Sequence, residues 1–470
     1  IKGAVTNNNA LNLSGGTLSK AVSGSGTTNI TGAVTSNSAI SQAINVVAAG
    51  DLTINANNIG GAVTNAGDLI LNGGTLTKAV TGAGTTSITG AVTANSAISQ
   101  TISISSSGDL TANAGNIGGA VTNAGDLILT GGTLSKSVSG AGLTTITGNT
   151  TNSAGINQGV KVNSGITLTN NAALGSASGS VTNAGTINSS ADNIKGTVSN
   201  TGSLNLSGGT LSKAVSGSGK TTITGNTTNN AGINQGVNIN NGVTLTNNAA
   251  LGSDSGKITN AGTINTNASN IKGTVTNNNA LNLSGGTLSK AVSGNGTTTI
   301  SGNTTNNAGI NQGVNVNSGV TLTNNAALGS DSGKVTNAGT INTNAGNIKG
   351  AVTNNNALNL SGGTLSKAVS GSGTTTISAN ATNNGGISQK VNVSSGVTLT
   401  NNAALGSDSG VVTNSGTINT SASNIKGAVT NNNTVNLSGG TLSKAISGSG
   451  TTNITGIVSS NSAISQAISI

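Results

Sequence analysis

Residues 198–217 read VSNTGSLNLSGGTLSKAVSG, and the alternation inside this stretch decides the fold. Val198 opens it, Leu204 and Leu206 follow with Asn205 between them, and Val215 opens the next round 17 residues on. Apolar residues at every second position are the signature of a strand with one face buried. Gly208-Gly209 lies between strand-like stretches, where positive φ is cheapest and the chain can turn. One short coil therefore ends where a similar one begins.

Working outward, GGTLSK or a close variant occurs seven times, with its lysine at Lys20, Lys78, Lys136, Lys213, Lys290, Lys367 and Lys444, so the spacings are 58, 58, 77, 77, 77 and 77. The two periods differ by 19, about the size of one coil, which makes a coil the unit of insertion. Growth by whole coils, each resting only on its neighbours, is the mark of a solenoid. A β-branched residue begins each coil. Val198, Val215, Val237, Ile258 and Val275 are separated by 17, 22, 21 and 17 residues, and Val5, Val22, Ile44 and Val63 by 17, 22 and 19.

This spacing predicts an all-β fold, a parallel right-handed β-helix (β-solenoid) of about 24 coils averaging about 19 residues. The chain 1–470 is expected to form a single rod of repeats 5–62, 63–120, 121–197, 198–274, 275–351 and 352–428, with a partial repeat 429–470. Strands about 4.8 Å apart would make that rod roughly 115 Å long. Both ends fall inside a repeat, so the rod is expected to continue, into further repeats or neighbouring copies. Asn247-Asn248 and Asn277-Asn278-Asn279 read as solvated turns, in preference to inward amide ladders.

Composition removes most chemistry. The 470 residues include 74 Gly but no Pro, Cys, His, Met or aromatic residue, and neither Arg nor Glu occurs. Only Ala, Val, Ile and Leu are left to fill a core, so the interior must be narrow. Thiolate and imidazole metal sites and disulfides are excluded, and no catalytic residue, cofactor site or metal site is expected. The net charge of +9 comes from 17 Lys, without the Arg forks and stacking rings that bind nucleic acid. No apolar run is long enough to insert this segment in a membrane.

The string AVTNNNALNLSGGTLSKAVSGSGTTNITG at residues 4–32, with its variants along the whole chain, resembles the passenger regions of bacterial surface adhesins, the autotransporter and filamentous-haemagglutinin-like β-helices. The resemblance implies a solenoid exported to the bacterial cell surface, extracellular, with a secretion signal and an outer-membrane anchor elsewhere. It carries no catalytic motif.

Charge supplies the candidate sites. Lys257, Lys272, Lys290, Lys334, Lys349, Lys367 and Lys390 all stand near the start of a coil and are expected to line one edge as a stripe. Such a stripe suits an anionic polysaccharide or other polyanion, or serves only to keep a flat β surface from pairing with copies of itself. Asp254 and Asp331 precede Lys257 and Lys334 by three residues, which suggests local ion pairs. Asp51 with Asp68, and Asp109 with Asp126, are 17 residues apart and should stack, yet nothing nearby would orient a sugar for hydrolysis.

The expected function is a non-enzymatic extracellular structural rod, the stalk or shaft of a bacterial surface adhesin or filament. Its partners would be neighbouring copies or further repeats. The alternative is an adhesive surface that binds host or bacterial glycan or an anionic polymer through the lysine stripe. A pectate-lyase-type enzyme is a third reading, and the missing Arg, His and aromatic residues count against it.

Overall fold

Three short strands close each turn of the chain. In the turn that begins at Val121 they are Val121–Asn123, Asp126–Leu129 and Gly132–Leu134, and the chain then returns to pair Val138 with Val121. Burial alternates along all three, with Val121, Asn123, Leu127, Leu129 and Leu134 pointing inward. The inner residues of successive turns form columns such as Val121, Val138, Ile156, Leu174 and Ile194, each at most 1% exposed. The strand ladders are parallel, in register except where a shift occurs, as between Ser139 and Leu143. The chain is therefore an all-β parallel β-solenoid, with single 3-10 turns as its only helical elements.

The computed structural model describes residues 1–470, whose contacts divide into two compact units, Ile1–Gln235 and Gly236–Ile470. Within each unit the columns correct the expected coil count. The spacing rule placed Val160 beside Val138, but Val138 pairs with Ile156, and Val160 pairs with Thr144 on the next side. The same step recurs in the C-terminal unit, where Val292 bridges Ile310 and Val314 pairs with Thr298. An interval of 22 residues is thus one turn of 18 followed by four residues that carry the chain onto the next side.

The physical reason is a buried glutamine. Ile156, Gln158, Val160 and Val162 all face inward, and Gln158 Nε2 donates to Thr144 Oγ1 at 2.7 Å. Two sides follow one another there within one continuous strand, Ile156–Val162, and Gly159 between them has no positive φ. A repeat of 58 residues therefore makes three turns and one extra side, and a repeat of 77 makes four turns and one extra side. The six complete repeats gain two turns between them, and the chain has about 27 turns of ~17 residues in place of the expected 24 of 19.

The extra side has a geometric consequence: each repeat begins one side further round than its predecessor. In the C-terminal unit, Val275 stands in the column of Ile258, Val292 and Ile310, Val352 in that of Val314, Val335 and Val369, and Val429 in that of Val391, Val412 and Ile446. Those are three different sides. Closely similar sequence thus appears on every face in rotation.

The GGTLSK motif owes its glycines to a 3-10 turn on the preceding coil. Asn267 caps the turn Ala268–Asn270 by accepting from Ser269 N. On the next coil Gly285 O accepts from Ala268 N at 2.8 Å, and Thr287 N donates to Ser269 Oγ at 2.9 Å. Gly286 has φ +90, and a Cβ there would lie 2.1 Å from Asn267 Oδ1. Only glycine meets both demands.

The asparagine runs divide between core and surface, correcting the expectation of solvated turns. Asn247 and Asn277 are 2% and 0% exposed, while Asn248, Asn278 and Asn279 face solvent. The buried ones form amide ladders between turns. Asn260 Nδ2 donates to Asn277 Oδ1 at 2.7 Å, and Asn337 to Asn354 and Asn414 to Asn431 at the same distance. At these inner corners the backbone turns away from its ladder, and the amide supplies the missing donors and acceptors.

Candidate functional site: lysine corners and polar grooves

The extra side in each repeat also decides where the lysines fall. Lys257, Lys272 and Lys290 share one corner, between the columns of Leu251 and Ile271 and of Ile258, Val275 and Val292. Lys334, Lys349 and Lys367 share the next, and Lys390 stands on the third, together with Lys426 and Lys444. The single stripe of seven is replaced by three short rows. A stripe requires the repeat to contain a whole number of turns, and it does not.

The acidic partners also differ from expectation. Asp254 pairs with Lys290 at 2.5 Å, a lysine 36 residues ahead, rather than with Lys257. Asp331 pairs in the same way with Lys367, and Asp408 with Lys444. Each aspartate sits on a tight loop closed by mutual backbone bonds, Ser253 N to Gly256 O and Gly256 N to Ser253 O, both 3.1 Å. The loop projects far enough along the corner to reach the lysine two turns on.

The hydrogen bond from Lys290, and then its charge, hold the Asp254 carboxyl below the ordinary aspartate range, and Lys367 and Lys444 do the same for Asp331 and Asp408. A carboxyl depressed in the folded state stabilises above its unfolded pKa of about 3.9, and that contribution is lost as pH falls through the folded value. The three aspartates are 88–89% exposed, so the effect on stability is slight. NMR titration of the Asp254 carboxyl should give a midpoint below about 3.9 that moves up in K290A. An unchanged midpoint in K290A would mean the pair does not form in solution.

Four of the other five aspartates stack as the sequence suggests. Asp51 is the register partner of Asp68, and Asp109 of Asp126, all four exposed on an open face. No group of three or more His, Cys, Asp or Glu side chains is placed to hold a metal.

The spacing rule missed a different feature, a polar groove beside the 3-10 turn of the 77-residue repeats. In the N-terminal unit it has a volume of about 560 Å3 and runs past Thr169, Asn188 and Asn205. In the C-terminal unit it appears twice, at Thr246, Asn265 and Asn282 with about 450 Å3, and at Thr323, Asn342 and Asn359 with about 460 Å3. Its lining is Asn, Thr and Ser in all three. Along its floor Asn282 Nδ2 donates to Asn265 Oδ1 at 2.7 Å, and Asn205 to Asn188 and Asn359 to Asn342 at 2.8 Å. The signal was present in the sequence as an outward Asn at the same offset of consecutive coils, as at Asn188 and Asn205 or Asn265 and Asn282.

Comparison of the chain with protein-family models, with curated proteins and with solved structures finds no match.

Proposed function

We propose that this chain is a non-enzymatic structural rod, the shaft of an extracellular bacterial surface adhesin or filament. The observation that carries the reading is the copying of internal bonding from repeat to repeat. Gln235, Gln312 and Gln389 donate to Thr221, Thr298 and Thr375, each at 2.7 Å, and the amide ladders repeat with them. Copying of this kind preserves coil geometry and adds length, whereas a reactive centre needs one distinctive stretch. Length is then the selected property, and the shaft holds another part of its assembly away from the surface.

Duplicating residues 275–351 tests the reading. Four turns and one side at strand spacing should lengthen the particle seen by electron microscopy by about 21 Å, with protease resistance retained. A particle that thickens or aggregates without lengthening would count against a shaft.

The lysines support a second reading, binding of an anionic polymer. Lys257, Lys272 and Lys290 stack on one corner over three consecutive turns, which favours short anionic segments over long ones. Such binding should vanish at roughly 0.5 M salt, where screening is nearly complete. Salt-insensitive capture of a polyanion would exclude it.

A further inference from the structure

The three grooves share one lining chemistry and one internal geometry, and neither the shaft reading nor the lysine rows use them. Thr169, Thr246 and Thr323 open them at 77-residue intervals. We infer that each groove is a weak binding site for a neutral saccharide, with the amide ladder as its recognition element.

The ligand class follows from the lining. No charged side chain lines these grooves, so an ion entering one would lose hydration without gaining a countercharge. An apolar ligand would leave the amides unpaired. A polyhydroxylated ring avoids both costs, because each hydroxyl donates and accepts and can replace the waters of the groove bond for bond.

The ladder arranges this in advance. The bond from Asn282 Nδ2 to Asn265 Oδ1 fixes both amide planes. It leaves the Asn265 amino group as a donor at one end of the pair and the Asn282 carbonyl as an acceptor at the other. A donor and an acceptor held at fixed positions can each take a hydroxyl of one saccharide, and their fixed orientation lowers the entropy cost of binding. The groove reaches from Thr246 through Asn265 and Asn282 to Ser301, four consecutive turns. Three strand spacings span about 14 Å, enough for a short oligosaccharide. Without an aromatic platform the affinity per groove should be low, with a Kd of about 1 mM.

The rotation of the repeats sets how such sites are displayed. Thr246, Asn265 and Asn282 lie on the side whose column contains Ile264, Leu281 and Val314, and Thr323, Asn342 and Asn359 on the side that contains Leu322, Ile341 and Leu358. Successive grooves therefore face different sides, about 21 Å apart along the axis. One straight polysaccharide cannot occupy two of them in succession. Each groove instead takes its own chain, and the solenoid gathers several chains around itself.

The test is an NMR titration of the whole chain with neutral α-1,4- and β-1,4-linked hexose trisaccharides, reading the asparagine side-chain amides. Saturable shifts at Asn265, Asn282, Asn342 and Asn359 are expected, with half-saturation at about 1 mM and no change at roughly 0.5 M salt. The threefold variant N205T, N282T, N359T should lose them. Threonine already follows Asn282 in the ladder, at Thr299, so the strand tolerates it, and unchanged hydrogen exchange would show that the variant folds. No saturable shift with either trisaccharide, equal binding by the variant, or binding abolished by salt would each overturn the proposal. None of these outcomes alters the increase in length expected for a shaft, so the two readings fail separately.

Discussion

N337A is expected to cost about 3–6 kcal/mol. Asn337 is 0% exposed and makes three bonds at once. Its Nδ2 donates to Asn354 Oδ1 at 2.7 Å and to Ala357 O at 2.8 Å, and its Oδ1 accepts from Gly339 N at 3.1 Å. Alanine leaves all three partners in a site water does not reach, and each orphaned buried group costs roughly 1–3 kcal/mol. Their sum is reduced because the three share one corner and relax together.

Aspartate would not restore it, since a carboxylate would meet the oxygens of Asn354 and Ala357 in place of the two donated bonds. In a solenoid each turn rests only on its neighbours, so the damage should stay local. Hydrogen exchange should lose protection in the coils that hold Val314, Val335, Val352 and Val369 and keep it at Val412 and Val429. The control is N355A, whose side chain faces solvent and whose effect should stay within about 0.5 kcal/mol. A cost below about 1 kcal/mol for N337A would mean the ladder is not sealed from water.

Asn337 and Gln158 also show why part of the structure was legible in the sequence and part was not. The strands were readable because Leu204, Asn205 and Leu206 alternate and Gly208-Gly209 ends the run, and both signals are local. The ladders were hidden because asparagine serves equally well in a solvated turn and at an inner corner, and only the neighbouring coil decides between them. Gln158 misled for the same reason. A polar residue between Ile156 and Val160 looks like an outward position, and discounting Ile156 merged two sides into one coil of 22 residues. The ion pairs failed on a different ground, since Asp254 finds Lys290 through the axial reach of a loop, which no spacing rule along the chain contains. Of the candidate sites, the lysines were found but their grouping was not, and the grooves were missed because an outward Asn such as Asn205 looks like any solvated strand position.

The extra side in each repeat yields the other large effect, the displacement of a whole face. Duplicating residues 275–351 should bring the loops 253–256 and 407–410, now on different sides of the C-terminal unit, onto the same side. Two repeats separate these loops, so the second stands two sides round from the first. A third repeat adds one more side and completes the circuit. Duplicating residues 335–351 alone inserts one full turn, because Val352 takes the register position of Val335 against Val314, and the loops should stay on different sides. Stability should change little in either case, because each inserted coil buries the same columns as its template. Antibody fragments bound to short tags in the two loops, viewed by electron microscopy, separate the outcomes: the longer insertion should align them along one edge and the shorter should not. If the tags instead stood on one side after both insertions, the repeat would hold a whole number of turns. The lysines and grooves would then return to single stripes, and the display of binding surfaces in rotation would have no basis.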